Sequence, residues 1–189
     1  MDRPVWLLDV DGVLNVPRPG WDGVSRSGDA HCGGKRFRMR WAPALIDRIR
    51  GLQRAGTVDI RWCSTWCGDA DQLETLFGLP RLGRAWSDTR TGIAAEVAKL
   101  TAARRVSARG RRLVWTDDAE VPRSGPVYEE LTAGGRALLI APSPLRGLQP
   151  EHLDAIEAFI AAGPVAGRGA AAADALRVAR RLLGDDTAL

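Results

Sequence analysis

Val5-Trp6-Leu7-Leu8-Asp9-Val10-Asp11-Gly12-Val13-Leu14-Asn15 opens the chain with an apolar run that breaks off on two carboxylates. A continuous run of this length, rather than an alternating one, marks a strand buried on both faces, as in a parallel sheet. The predicted strand is Val5–Val10. Gly12 permits a sharp turn directly after it. Asp9 and Asp11 leave a buried strand two residues apart, a costly arrangement unless a cation or a proton relieves their repulsion. The bland alternative is an Asp-Gly turn closing a strand.

Outward from this stretch, strand and helix patterns alternate. Trp41–Ala55 carries Leu45, Ile46, Ile49 and Leu52 on one helical face, with Gly56 just beyond as a stop signal. Val58–Cys63 is the second expected strand and Asp69–Phe77 a short helix. Leu82–Trp86 is a weaker strand. Gly92–Arg105 is expected to be a helix packed through Ile93, Val97 and Leu100. Leu113–Thr116 is the next strand, Tyr128–Ala133 a short helix, Ala137–Ile140 the fifth strand and Pro150–Ala162 a helix. This alternation predicts an α/β fold with a mainly parallel central sheet of about five strands flanked by helices. Residues 1–162 form the expected domain. Within it, 12–40 is a Gly-, Pro- and Arg-rich flap or lid, and 163–189 is a helical or partly disordered tail.

The totals narrow the functional classes. A chain of 189 residues can bury a core without staples. No stretch approaches the roughly 20 apolar residues of a membrane helix. No signal-peptide pattern precedes the first strand, so the expected location is the cytoplasm. Cys32, Cys63 and Cys67 make an odd count with no disulfide framework. The net charge of +4 suits an anionic substrate without identifying one. Lys35 and Lys99 are the only lysines among many arginines.

Polar residues gather where strands end, the place where open parallel sheets bind ligands. A carboxylate such as Asp9 can attack phosphorus, and a second such as Asp11 can move the protons. Asp117-Asp118, directly after Leu113–Thr116, offers hard oxygen ligands for Mg²⁺. Ser64-Thr65 after the second strand can hold a phosphoryl oxygen, through either hydroxyl. Lys99 offers a compact ammonium that can neutralise a nucleophile and a phosphoryl group.

These four elements, in this order and from Val5 to Ile140, resemble the haloacid dehalogenase-like (HAD) hydrolase superfamily. The specific match is Asp9-Val10-Asp11-Gly12-Val13-Leu14-Asn15. The resemblance implies that Asp9 is the nucleophile and a Mg²⁺ ligand. It implies that Asp11 is the acid/base residue and contributes its carbonyl to the metal. Ser64 or Thr65 binds phosphate, Lys99 neutralises charge, and Asp117 with Asp118 completes the metal site. Arg104 or Arg105 is the fallback should Lys99 point away. An acid at position 11 indicates a phosphatase or phosphotransferase rather than a dehalogenase.

No gap has room for a large cap domain. The flap brings Trp21 and Arg36 as candidate substrate contacts, and Trp66 joins them from beside Ser64. The expected substrate is a phosphate monoester, either a small molecule or a nucleic-acid end. The basic stretch Arg104–Arg112 suits a phosphate backbone, but no RRM, zinc-finger or P-loop signature accompanies it. The alternatives are a phosphotransferase of the same fold and a non-catalytic module that binds phosphate or nucleic acid.

Overall fold

The computed structural model describes residues 3–163. The tail expected after residue 163 lies outside them. Five strands form one parallel sheet: β1 (Val5–Leu8), β4 (Asp59–Trp62), β5 (Gly83–Arg84), β6 (Leu113–Thr116) and β7 (Ala137–Ile140), in the order β5-β4-β1-β6-β7. The sheet is flanked by helices, giving a Rossmann-like α/β architecture. The first strand lies at the centre. The chain builds outward from it through β4 and β5, then crosses back to lay β6 on its other side. That reversal creates the crevice where such sheets bind ligands.

The two faces of the sheet explain the unbroken apolar run. Trp6 and Leu8 point into one core with Ile60, Trp62, Val114 and Leu138, covered by α1 (Pro43–Ala55), α2 (Ala70–Phe77) and α5 (Pro150–Ala161). Val5 and Leu7 point into the other with Leu113, Trp115 and Ala137, beneath α3 (Ile93–Ala108) and α4 (Pro126–Thr132). Both sets are essentially fully buried. Truncating one such side chain to alanine costs about 2–5 kcal/mol.

Buried polar groups are paired in ways that fix strand ends. Trp6 Nε1–H donates to Thr116 Oγ1 at 2.9 Å, tying β1 to β6. Glu74 Oε1 accepts from Trp62 Nε1 at 3.0 Å and from the Leu82 N–H at 2.9 Å, which holds the end of β4 beside the entry to β5.

Three expectations change. First, the stretch 12–40 is not loop throughout: Arg26–Cys32 (β2) and Lys35–Trp41 (β3) form an antiparallel hairpin. Gly33 and Gly34 make its turn, both at positive φ, as a tight hairpin requires. The ribbon is anchored on α2, since Gln72 exchanges two hydrogen bonds of 2.9 Å with the backbone of His31. Trp41 therefore ends a strand, and α1 starts at Pro43.

Second, α3 does not pack through Ile93 and Val97, which are 76% and 60% exposed. Its buried face is Ala95, Ala98, Lys99, Ala102, Ala103 and Val106. A face of alanines lets the helix lie close to the sheet and carries Lys99 inward. Third, the weak strand at Leu82–Trp86 shrinks to Gly83–Arg84. Among the described residues, no helix is long and apolar enough to cross a membrane.

Candidate active site

Asp9 and Asp117 follow β1 and β6 directly, and the register pairs Leu8 with Thr116. The two acids are thus neighbours across adjacent strands, with the Asp9 N–H donating to the Thr116 carbonyl at 3.1 Å. Asp118 comes next in the chain. Carboxylate oxygens of Asp9, Asp117 and Asp118 lie within 4.8 Å of one another.

Gly12 makes this convergence sterically feasible. Its φ of +71° is left-handed, and a β-carbon there would collide with the carboxylate of Asp118. The glycine therefore serves both the turn and the third acid.

Lys99 reaches in from α3. Its Nζ donates to Asp9 Oδ2 at 2.8 Å and lies 2.7 Å from Asp117 Oδ2. Asp117 Oδ2 is fully buried, with the Lys99 ammonium as its close partner. Asp117 Oδ1, in contrast, accepts the Ala119 and Glu120 N–H groups at 3.1 and 2.8 Å. One oxygen is fixed by the backbone and the other is paired with Lys99.

The charges do not balance. Burial, then Asp117, pushes Asp9 above the ordinary carboxylate range, against the opposing pull of Lys99. Asp118 is raised by burial and by Asp117. Glu120 nearby is raised for the same two reasons. Burial would lower Lys99, but Asp9 and Asp117 outweigh it and hold the ammonium above its usual range. Three carboxylates crowd around one ammonium, an excess of acid that a divalent cation would offset. The donor set is three carboxylates, all oxygen, which fits a hard cation such as Mg²⁺.

Ser64 stands at the end of β4, buried, with an Oγ that makes no well-formed hydrogen bond. It faces Asp9 closely enough to favour the ionised carboxylate, the smallest of the influences on that group. Thr65 is half-buried and turns toward a neighbouring cleft.

Asp11 is exposed and borders that cleft. Its Oδ1 accepts from Asn15 Nδ2 at 2.7 Å and its Oδ2 from Trp66 Nε1 at 2.8 Å. Trp66, expected as a substrate contact, thus has its polar atom committed to Asp11, while its ring lines the cleft.

Trp21 and Arg36 are not among the cleft residues. Trp21 Nε1–H donates to the Leu148 carbonyl at 2.6 Å and its ring packs on the core. Arg36 lies on β3 between Lys35 and Phe37, which line the cleft, so the strand's alternation turns it to the other side. Arg104, the fallback cation, is engaged by Glu130 of α4.

Models of protein families, curated proteins and solved structures were compared with the chain, and none matches. The site therefore stands on its own geometry.

Several residues beside the site carry no sequence signal that separates them from their surroundings: Phe37, Thr89 and Thr91. Asn15 was visible as the last residue of the opening motif, four after Asp11, yet nothing in that spacing gives its side-chain bond. Cys32 also lines the cleft. Its thiol is pushed up to about 11, first by burial and then by Asp69, which makes it a poor thiolate nucleophile.

Proposed function

We propose that this chain is a Mg²⁺-dependent phosphohydrolase of the haloacid dehalogenase-like kind, acting on a phosphate monoester through an aspartyl-phosphate on Asp9. The observation that carries this reading is the meeting of Asp9, Asp117 and Asp118 within 4.8 Å, with Lys99 against the first two and Asp11 at the cleft beside them.

Mg²⁺ held by Asp9, Asp117, Asp118 and the Asp11 carbonyl would supply Lewis-acid polarisation and charge neutralisation. The protein groups supply the rest. Lys99 restrains the Asp9 carboxylate and lowers the repulsion met by an incoming phosphoryl group. The buried Ser64 hydroxyl, beside Asp9, is placed to donate to a phosphoryl oxygen. Asp9 attacks phosphorus as the bond to the leaving oxygen breaks, and the carboxyl of Asp11 gives that oxygen its proton. Asp11, now a carboxylate, takes a proton from water, whose oxygen attacks phosphorus and releases Asp9. Trp66 and Asn15 hold Asp11 toward the cleft for both transfers.

Water as the acceptor, rather than a second substrate, is favoured by the exposure of Asp11 on an open cleft. A phosphotransferase needs that face closed against water. The free cysteines suit a reducing compartment, and we assign the chain to the cytoplasm on that ground.

The experiment is phosphate release from p-nitrophenyl phosphate with Mg²⁺ and with a chelator, for the wild type and Asp9→Asn. Turnover should require the metal and vanish in the variant. A wild type silent there and on a broad panel of phosphate esters would favour a non-catalytic binding module.

A further inference from the structure

We propose that the cleft beside Asp11 is the leaving-group site and that it selects phosphomonoesters whose leaving group is a planar ring. The inference rests on the assignment of Asp11 as proton donor to the leaving oxygen.

Position comes first. A proton donor must come within hydrogen-bond distance of the oxygen it protonates. Whatever departs from phosphorus must therefore occupy the space that Asp11 borders. That space is a cleft of about 320 Å³ between the turn of the β2–β3 hairpin, the loop after β4 and the segment leading into α3. Its size is at the lower end for small-molecule sites, enough for one compact ring system.

Chemistry comes second. Phe37 stands on β3 among Lys35, Arg36 and Arg38, and it is the exposed one of the strand's three apolar residues, Met39 and Trp41 being buried. Its ring is 42% exposed. It meets Trp66 edge to face, with centroids 5.4 Å apart and planes at 74°. Trp66 is buried and backs Phe37 from behind, so the aromatic surface offered to the cleft is that of Phe37, which a planar ligand ring would cover. Apart from Asp11, the single charged group in the lining is Lys35, which makes no ion pair among the described residues. Thr65, Thr89 and Thr91 bring hydroxyl groups. A ring with acceptor atoms on its edge satisfies both sets.

The test uses two non-hydrolysable phosphonates, benzylphosphonate and methylphosphonate, titrated by calorimetry against the full chain with Mg²⁺. Benzylphosphonate should bind about tenfold tighter, the size expected from burying one ring against aromatic side chains. Phe37→Ala should bring the ratio of the two affinities near one, and Phe37→Tyr should restore it. Equal affinities in the wild type, with both ligands binding, would overturn the inference and leave the phosphohydrolase reading standing. Failure of both ligands to bind, in a protein that turns over no phosphate ester, would remove that reading and the inference with it.

Discussion

Lys99 Nζ lies 2.7 Å from Asp117 Oδ2, inside a site where both side chains are almost wholly buried. The lysine is the one cation set against the buried acids in the absence of metal. Removing one partner of a buried ion pair costs about 3–5 kcal/mol, because the other charge is left uncompensated. Lys99→Met should therefore lower the thermal midpoint, and Mg²⁺ should recover more of the loss than it adds to the wild type. Phosphate release should fall by about 10²–10³, the usual cost of one electrostatic stabiliser. Melting curves with and without Mg²⁺, run beside the activity assay, check both.

Gly12 admits no side chain. Its φ is +71° and Asp118 occupies the space a β-carbon would need. Gly12→Ala should destabilise the chain by more than about 1 kcal/mol, since an incompatible conformation costs more than the entropy alanine saves. It should also weaken Mg²⁺ binding by displacing Asp118. Denaturant midpoints and a Mg²⁺ titration measure the two effects. Unchanged metal affinity would remove Asp118 from the ligand set.

Trp66 acts on Asp11 through one hydrogen bond of 2.8 Å. Trp66→Phe keeps a ring in the wall and removes the donor. A hydrogen bond to a charged group is worth about 1.5–3 kcal/mol, so kcat should drop about tenfold or more. An unaltered kcat, measured with the Mg²⁺-dependent phosphate-release assay, would make Trp66 a packing residue only.

His152 gives a pH dependence remote from the site. Its Nδ1 accepts the Gln149 N–H at 2.9 Å and caps α5. Burial holds the imidazole below its ordinary 6.5. Below about 6.5 the unfolded chain takes up a proton that the folded chain resists. The contribution is therefore complete above that pH and is lost as pH falls through it toward the folded value. His152→Gln should flatten this part of a plot of thermal midpoint against pH. A slope equal to that of the wild type would assign the acid sensitivity elsewhere.

Much of the sheet was legible because both of its faces are buried. Val5–Leu8 and Leu113–Thr116 are unbroken apolar runs, and the acids that end them are the acids of the site. What no spacing contains is the register that pairs Leu8 with Thr116 and so brings Asp9 and Asp117 together. The β2–β3 hairpin carried two cues, the Gly33-Gly34 turn and the alternation Arg36-Phe37-Arg38-Met39-Arg40-Trp41, but β2 (Arg26–Cys32) has no matching apolar pattern to pair with it. The packing face of α3 was misjudged because bulky Ile93 and Val97 outweigh alanine in any hydrophobic pattern. A helix lying close to a sheet instead needs the small residues inside. Trp21 reads as a free aromatic in a polar stretch, and only the folded chain brings it to the Leu148 carbonyl.

The central claim concerns which carboxylate takes the phosphoryl group. The direct measurement is to quench the enzyme during turnover, reduce it with borohydride, and locate by peptide mass spectrometry the aspartate converted to homoserine. The account predicts conversion at Asp9 alone, dependent on both substrate and Mg²⁺. Conversion at Asp11, Asp117 or Asp118, or none at any aspartate in an enzyme that is turning over, would contradict it.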